Sequence, residues 1–212
     1  MVSRKTGSLI GSSFLLCLAL LVSLSLPVRA EEKTIDVVIE TELGNIDVRL
    51  YPERAPQTVA NFLRNMDAGL YNGGQFYRAV RMDNQRPART TITLIQGGRN
   101  LAKKPLTAIP HETTKMTGIS HQNGVISMAR LAPGTADTEF FICVGDNSAL
   151  DYGSDRNPDK QGYATFGVVT TGMDVVMQIQ SQPTNVPMED PSSPVKGQIM
   201  EHPIRIFAVS RK

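Results

Sequence analysis

The sequence predicts a mainly β protein, an antiparallel barrel or sandwich, and three observations carry that reading. Short runs rich in β-branched and aromatic residues recur, as at 35–41, 75–81 and 138–144, with a glycine within three residues of one end of each. Helical three-and-four spacing of apolar residues is confined to two stretches, 56–68 and 173–180. The connection Glu42-Leu43-Gly44 is tight enough to join antiparallel neighbours.

Residues 1–30 carry the pattern of an export leader. Arg4 and Lys5 form a basic start, Phe14 to Leu26 is an apolar run short for a membrane span, and Val28-Arg29-Ala30 is a small-residue cleavage site. Cleavage after Ala30 is expected, leaving 31–212 as one domain; an uncleaved anchor is the alternative, because the apolar run extends back through Leu9 and Ile10. The leader implies an exported protein, in a bacterial periplasm in preference to another secretory route, with no stable membrane insertion once it is removed. The full chain has 22 basic and 20 acidic residues, a net charge of +2, and Arg4 and Lys5 belong to the leader. A near-neutral mature domain lacks the electrostatic footprint of a nucleic-acid binder. Past the leader Cys143 is the one thiol, and His111, His121 and His202 lack metal-ligand spacing. No metal, no cofactor and a monomer are expected.

Taken in order, 35–41 and 45–51 alternate apolar with polar residues and read as a hairpin. Pro52 and Pro56 end that pattern, and Pro56 suits the first turn of a helix whose Val59, Phe62, Leu63 and Met66 form a core-facing stripe ended by Gly69. Segments 75–81 and 91–96 read as strands, the second stopping at Gly97-Gly98, and 99–122 as loop. Segments 124–130 and 138–144 are strands joined by a long shaped loop. Alternation in the latter puts Phe141 and Cys143 on one face and Phe140 and Ile142 on the other, so one phenylalanine serves the core while the other lines a surface. A polar loop, a strand at 163–170 and a helix at 173–180 follow, the helix carrying Val176, Met177 and Gln180 on its stripe. The proline-bearing 182–194 reads as an exposed loop, and 199–209 as the last strand.

Three features then stand in sequence: Phe76-Tyr77-Arg78, Ile95-Gln96-Gly97-Gly98 and Phe140-Phe141. With Gly44-Asn45, Ala55-Pro56, Asn61-Phe62, Gly124-Val125-Ile126-Ser127-Met128-Ala129 and Thr165-Phe166-Gly167-Val168-Val169, their order and spacing resemble the cyclophilin family of peptidyl-prolyl isomerases over residues 35–209. The resemblance implies a closed eight-stranded antiparallel β-barrel capped by two α-helices. It also implies an enzyme that interconverts cis and trans X–Pro bonds in proline-containing segments of exported proteins. By resemblance Arg78 is the catalytic donor, Gln96 holds it and the substrate backbone, and Phe141 floors the proline pocket. The implied peptide contacts are Leu94, Met128, Ala129, Arg130 in place of the usual asparagine, Leu150 at the pocket wall, and Tyr163 in place of the usual histidine. Thr93 replaces a pocket phenylalanine and shrinks the apolar wall. Ala149 replaces the tryptophan associated with cyclosporin binding, which implies weak inhibition by that drug. Segments 79–92 and 151–161 are longer than in the family.

The chemistry makes a simple demand. Rotation about an X–Pro bond must break amide resonance across a barrier of roughly 20 kcal/mol. A fixed donor to the prolyl nitrogen, whose lone pair is localised only in the twisted form, lowers it. An arginine suits this role because its planar fork stays charged. Without their companions, Arg78 would be a solvated strand residue, Gln96 a strand-end cap, Phe141 a core residue and Cys143 an inert buried thiol. The competing reading is a proline-peptide binding module or holdase with turnover reduced by Thr93, Ala149 and Tyr163.

Overall fold

Eight strands make the sheet: β1 (Ile35–Thr41), β2 (Gly44–Leu50), β3 (Gln75–Val80), β4 (Leu94–Gly98), β5 (Val125–Met128), β6 (Phe140–Cys143), β7 (Ala164–Thr171) and β8 (Ile199–Arg211). They close in the order β1-β2-β7-β5-β6-β4-β3-β8, each neighbouring pair antiparallel and β8 returning to β1. Closure leaves no sheet edge to protect, which is how a chain of short strands buries its backbone polar groups. The structure, a computed structural model, describes residues 1–2, 31–85, 90–184 and 193–212. The leader, apart from Met1 and Val2, therefore lies outside the described residues, as do parts of the 79–92 and 182–194 segments.

The first hairpin forms because Val37, Ile39, Ile46, Val48 and Leu50, all buried, alternate with polar residues. Its Glu42-Leu43 connection is held by Thr41, whose hydroxyl donates to the Gly44 carbonyl at 2.7 Å and accepts the Leu43 N–H at 3.2 Å. Helix α1 (Pro56–Asp67) has no side-chain cap of its own; the Glu112 carboxylate instead accepts the N–H groups of Gln57 and Thr58 at 3.2 and 2.8 Å. A carboxylate at that end satisfies orphan donors and suits the helix dipole. The α1 stripe then places Phe62 against Tyr71, Phe140 and Phe166, with ring centroids 5.1, 5.7 and 5.3 Å apart. This cluster fills the barrel.

Three expectations need correction. The expected helices at 56–68 and 173–180 are both found, but a further short helix, α2 (Thr114–Thr117), lies in the stretch read as loop. Four residues are too few to show a period. Its last carbonyls are met by Arg54, which donates to Thr117 at 2.9 Å and Gly118 at 2.5 Å. Helix α3 (Met173–Gln180) buries Val175, Val176 and Ile179, whereas Met177 is 58% exposed, so its core-facing stripe is not the one expected. Strand β4 runs through Gly97 instead of stopping before it. A Cβ there would lie 2.6 Å from the Gln75 carbonyl, so only glycine lets β3 and β4 pack this closely. The alternation expected in β6 is found: Phe140 and Ile142 enter the barrel core, while Phe141 and Cys143 join Val80, Ile92, Leu94 and Leu150 in a separate cluster. That second cluster positions the site.

Candidate active site

Arg78 of β3 pairs with Gln96 of β4, and Gln96 pairs with Phe141 of β6, so the three stand in one cross-strand row. Residues opposite one another in a ladder project to the same face, so all three serve the face away from the barrel core. The register shifts between Phe76 and Arg78, an irregularity that re-aims the strand at the arginine.

The Arg78 guanidinium is held from two sides. Its Nη1 donates to Gln96 Oε1 at 2.7 Å, and its Nε and Nη2 both donate to Gln198 Oε1, at 2.9 and 2.7 Å. A guanidinium carries five N–H groups, so one on Nη1 and one on Nη2 are left to face a ligand. Both partners are neutral amides. Burial lowers the pKa of Arg78 from its ordinary value, and no carboxylate is among the groups acting on it. The other end of Gln96 donates to the Tyr77 hydroxyl at 2.8 Å, which fixes the amide's orientation. Burial, reinforced by nearby Glu139, pushes the Tyr77 phenol far above its usual range and keeps it neutral.

Beside this clamp opens a cavity of about 380 Å³. Phe141, Leu94, Leu150 and Ile92 give it an apolar floor and wall, with the Ala129-Arg130 segment along one side. The Tyr163 ring meets Phe141 edge-on, at 5.4 Å and 89°. Beneath the floor, His121 is fully buried and stacks on Phe141 at 5.8 Å and 12°. Its Nδ1 lies 2.6 Å from Asp151 Oδ1 and its Nε2 lies 3.0 Å from Ser127 Oγ. Burial lowers the His121 pKa against the pull of Asp151, so the ring is neutral: Nδ1–H donates to Asp151 and Nε2 accepts from Ser127. Burial would raise the Asp151 pKa, but hydrogen bonds from His121 and Ser120 outweigh it and hold the carboxyl below its usual range. Ser127, His121 and Asp151 follow the connectivity of a hydrolytic triad, yet Ser127 is 0% exposed and no substrate reaches its hydroxyl. The triad braces the pocket.

Arg78, Gln96, Phe141, Leu94, Ala129, Arg130, Leu150 and Tyr163 all line the cavity. Met128 does not. It is fully buried in the barrel core, paired with Phe140 and Ala164, because alternation along β5 turns Ser127 outward and Met128 inward. The Arg130 side chain, 2% exposed, is spent on the chain itself: it donates to Gly162 O at 2.9 Å, pairs with Asp159 at 2.7 Å and lies over the Tyr163 ring at 5.1 Å. Thr93 is turned away, its hydroxyl donating to the Val144 carbonyl and its N–H to Asn147 Oδ1 at 2.7 Å. Ile92 supplies apolar wall in its place. Sequence reasoning missed Ile92, Gln198, Arg156 and Asn157. The last two come from the long 151–161 segment, where Arg156 also donates to Thr90 O at 2.8 Å. Among the described residues, no group of three or more His, Cys, Asp or Glu is gathered to hold a metal ion.

The model of the family described as "Cyclophilin type peptidyl-prolyl cis-trans isomerase/CLD" matches residues 36–202. The chain belongs to the cyclophilin family of peptidyl-prolyl cis-trans isomerases. Among similar proteins is a peptidyl-prolyl cis-trans isomerase of Acinetobacter baylyi, 34% identical over 166 residues, which are 76% of this chain and 81% of that one. Peptidyl-prolyl cis-trans isomerase A of Dickeya dadantii is 33% identical over 175 residues, 80% of this cyclophilin and 85% of the relative. Peptidyl-prolyl cis-trans isomerase B of Escherichia coli is 33% identical over 164 residues, 73% of this chain and 93% of the other. The fold matches the crystal structure of a cyclophilin type peptidyl-prolyl cis-trans isomerase of Cryptosporidium parvum with a TM-score of 0.59 at 18% identity, covering 85% of this chain and 98% of that chain. A second structure of that protein, in the presence of the dipeptide Ala-Pro, matches with a TM-score of 0.58. The cyclophilin barrel carries its candidate site on the outer face of β3, β4 and β6, with the wall completed from the 151–161 segment.

Proposed function

We propose that this cyclophilin isomerises X–Pro bonds of exported proteins in the cavity above Phe141, as a monomer that needs no cofactor. The carrying observation is a charged guanidinium clamped by two neutral amides beside an apolar hollow. The proline ring sits on Phe141 against Leu94, Ile92 and Leu150, and the peptide backbone runs along Ala129-Arg130. A free N–H of Arg78 donates to the prolyl nitrogen as its lone pair localises, while Gln96 holds the guanidinium in line. A hydrogen bond from a charged donor is worth about 1.5–3 kcal/mol. One that forms fully only in the twisted state therefore raises the rate roughly ten- to hundredfold. No bond is made or broken in the protein.

The export half of the proposal is supported by the leader pattern at residues 1–30 and favours a periplasmic site of action. Two measurements test the reading. Residues 31–212 should accelerate isomerisation of a short X–Pro peptide in proportion to enzyme concentration; a rate equal to the uncatalysed one would leave only a binding module. The protein recovered from the exported fraction should begin at Glu31; recovery with the leader intact would contradict cleavage.

A further inference from the structure

We infer that Gln198, brought from the far end of the chain, is a positioning residue for Arg78 whose neutrality matters as much as its place. The inference rests on Arg78 being the catalytic donor proposed above. Gln198 lies 120 residues from Arg78 in sequence and is 3% exposed. Its own backbone is pinned: its carbonyl accepts the Ala79 N–H at 2.9 Å, and its N–H donates to Val195 O at 3.0 Å. The side chain thus starts from a fixed point beside β3. Its single oxygen takes both Nε–H and Nη2–H, so the guanidinium is gripped along one edge, while Gln96 takes Nη1. The amide must present oxygen here, because a guanidinium offers only donors. Without Gln198 the group is held at one nitrogen and is free to swing, and its two remaining N–H groups lose their aim.

The contrast with other arginines of the same chain gives the choice of residue its meaning. Arg49 is held by Asp36, Arg130 by Asp159 and Arg211 by Asp67, each through two hydrogen bonds to a carboxylate. At these three the chain supplies an aspartate, whereas Arg54 and Arg156 reach backbone carbonyls and Arg64 reaches the Asn61 amide oxygen and a carbonyl. At Arg78 it supplies two glutamines. A carboxylate at Gln198 would make the same edge-on contact as a bidentate ion pair and draw the positive charge away from the prolyl nitrogen. The amide fixes orientation and leaves the charge for the substrate.

The test compares Gln198→Ala and Gln198→Glu with wild type. The readouts are kcat and KM on one X–Pro peptide, the Arg78 Nε–H resonance in ¹⁵N spectra, and the thermal midpoint. Gln198→Ala should lower kcat about tenfold with KM within about twofold, and the Nε–H resonance should be lost to solvent exchange. Gln198→Glu should keep that resonance, since an acceptor remains in place, yet still lower kcat by about fivefold or more. Wild-type kcat in either variant overturns the inference. If the alanine variant melts early, the glutamate variant decides alone. An inactive Arg78→Ala beside fully active Gln198 variants sinks this inference and spares the proposed function; an active Arg78→Ala sinks both.

Discussion

The imidazole of His121 stacks nearly parallel to the ring of Phe141, with centroids 5.8 Å apart and planes 12° from parallel, and both of its nitrogens are held, one by Asp151 and one by Ser127. The floor of the proline pocket therefore rests on a buried polar network, which the row of Arg78, Gln96 and Phe141 continues at Ser127.

Removing the imidazole leaves a void under Phe141 and strips Ser127 and Asp151 of a partner. His121→Ala should cost about 2–4 kcal/mol of stability by urea titration. The surviving folded protein should show a raised KM, because the floor that receives the proline ring has lost its support. A variant with unchanged stability would mean that the network carries no load.

Acid should destabilise the domain through His121 and Asp151 of this network and through His111. His121 and His111 both have pKa values below the ordinary histidine value, chiefly from burial, and Asp151 is held below the usual carboxylate range. Protonation of each favours the unfolded chain, so their contributions are complete above about pH 6.5 and fade as pH falls, the histidines first and the aspartate below about pH 4. The urea midpoint of 31–212 should be flat from about pH 8 to 7 and decline below about 6.5. A midpoint that rises on acidification contradicts the assignment of a neutral His121.

Ala149 sits half-buried against the pocket cluster of Phe141 and Leu150, at the position where the resemblance implies a tryptophan in place of alanine. Inhibition of the wild-type enzyme by cyclosporin should be weak, and Ala149→Trp should strengthen it by about tenfold or more, the worth of one well-packed aromatic contact. Equal inhibition of both proteins would show that the drug does not use this wall.

The described residues lining the cavity include Arg78, Arg130 and Arg156 and no carboxylate, and the Arg130 charge is already met by Asp159. Peptides with glutamate beside the proline should show a KM several-fold lower than lysine counterparts at low salt. That difference should shrink toward about 0.5 M salt, where exposed charges are screened, and with Arg156→Ala. Indifference to peptide charge under all conditions would exclude Arg156 from substrate selection.

How much of this was legible beforehand follows from the range of each interaction. The hairpins, α1, α3 and the split of Phe140 from Phe141 are local patterns of period two or 3.6, and they stand close to where the residues put them. Arg78, Gln96 and Phe141 could be selected because each sits in a short motif. Gln198 could not, because a lone glutamine after a proline-bearing segment carries no local signal of the arginine it reaches 120 residues away. Met128 is one of the peptide contacts the resemblance implies, but the pleat turns it into the core. Thr93 and Ile92 exchange the roles expected of that position, because the Asn147 side chain binds the Thr93 backbone on both sides, at 2.7 and 2.9 Å. α2 was missed for want of length.

The measurement that bears most directly on Arg78 as donor is kcat/KM for one X–Pro peptide with wild type and Arg78→Ala, taken together with peptide affinity by NMR titration. Turnover in the variant should fall by roughly ten- to hundredfold, while the dissociation constant changes by about threefold or less, since the guanidinium acts in the twisted state more than in the resting complex. Turnover within about twofold of wild type, or a loss explained wholly by weaker binding, would contradict it.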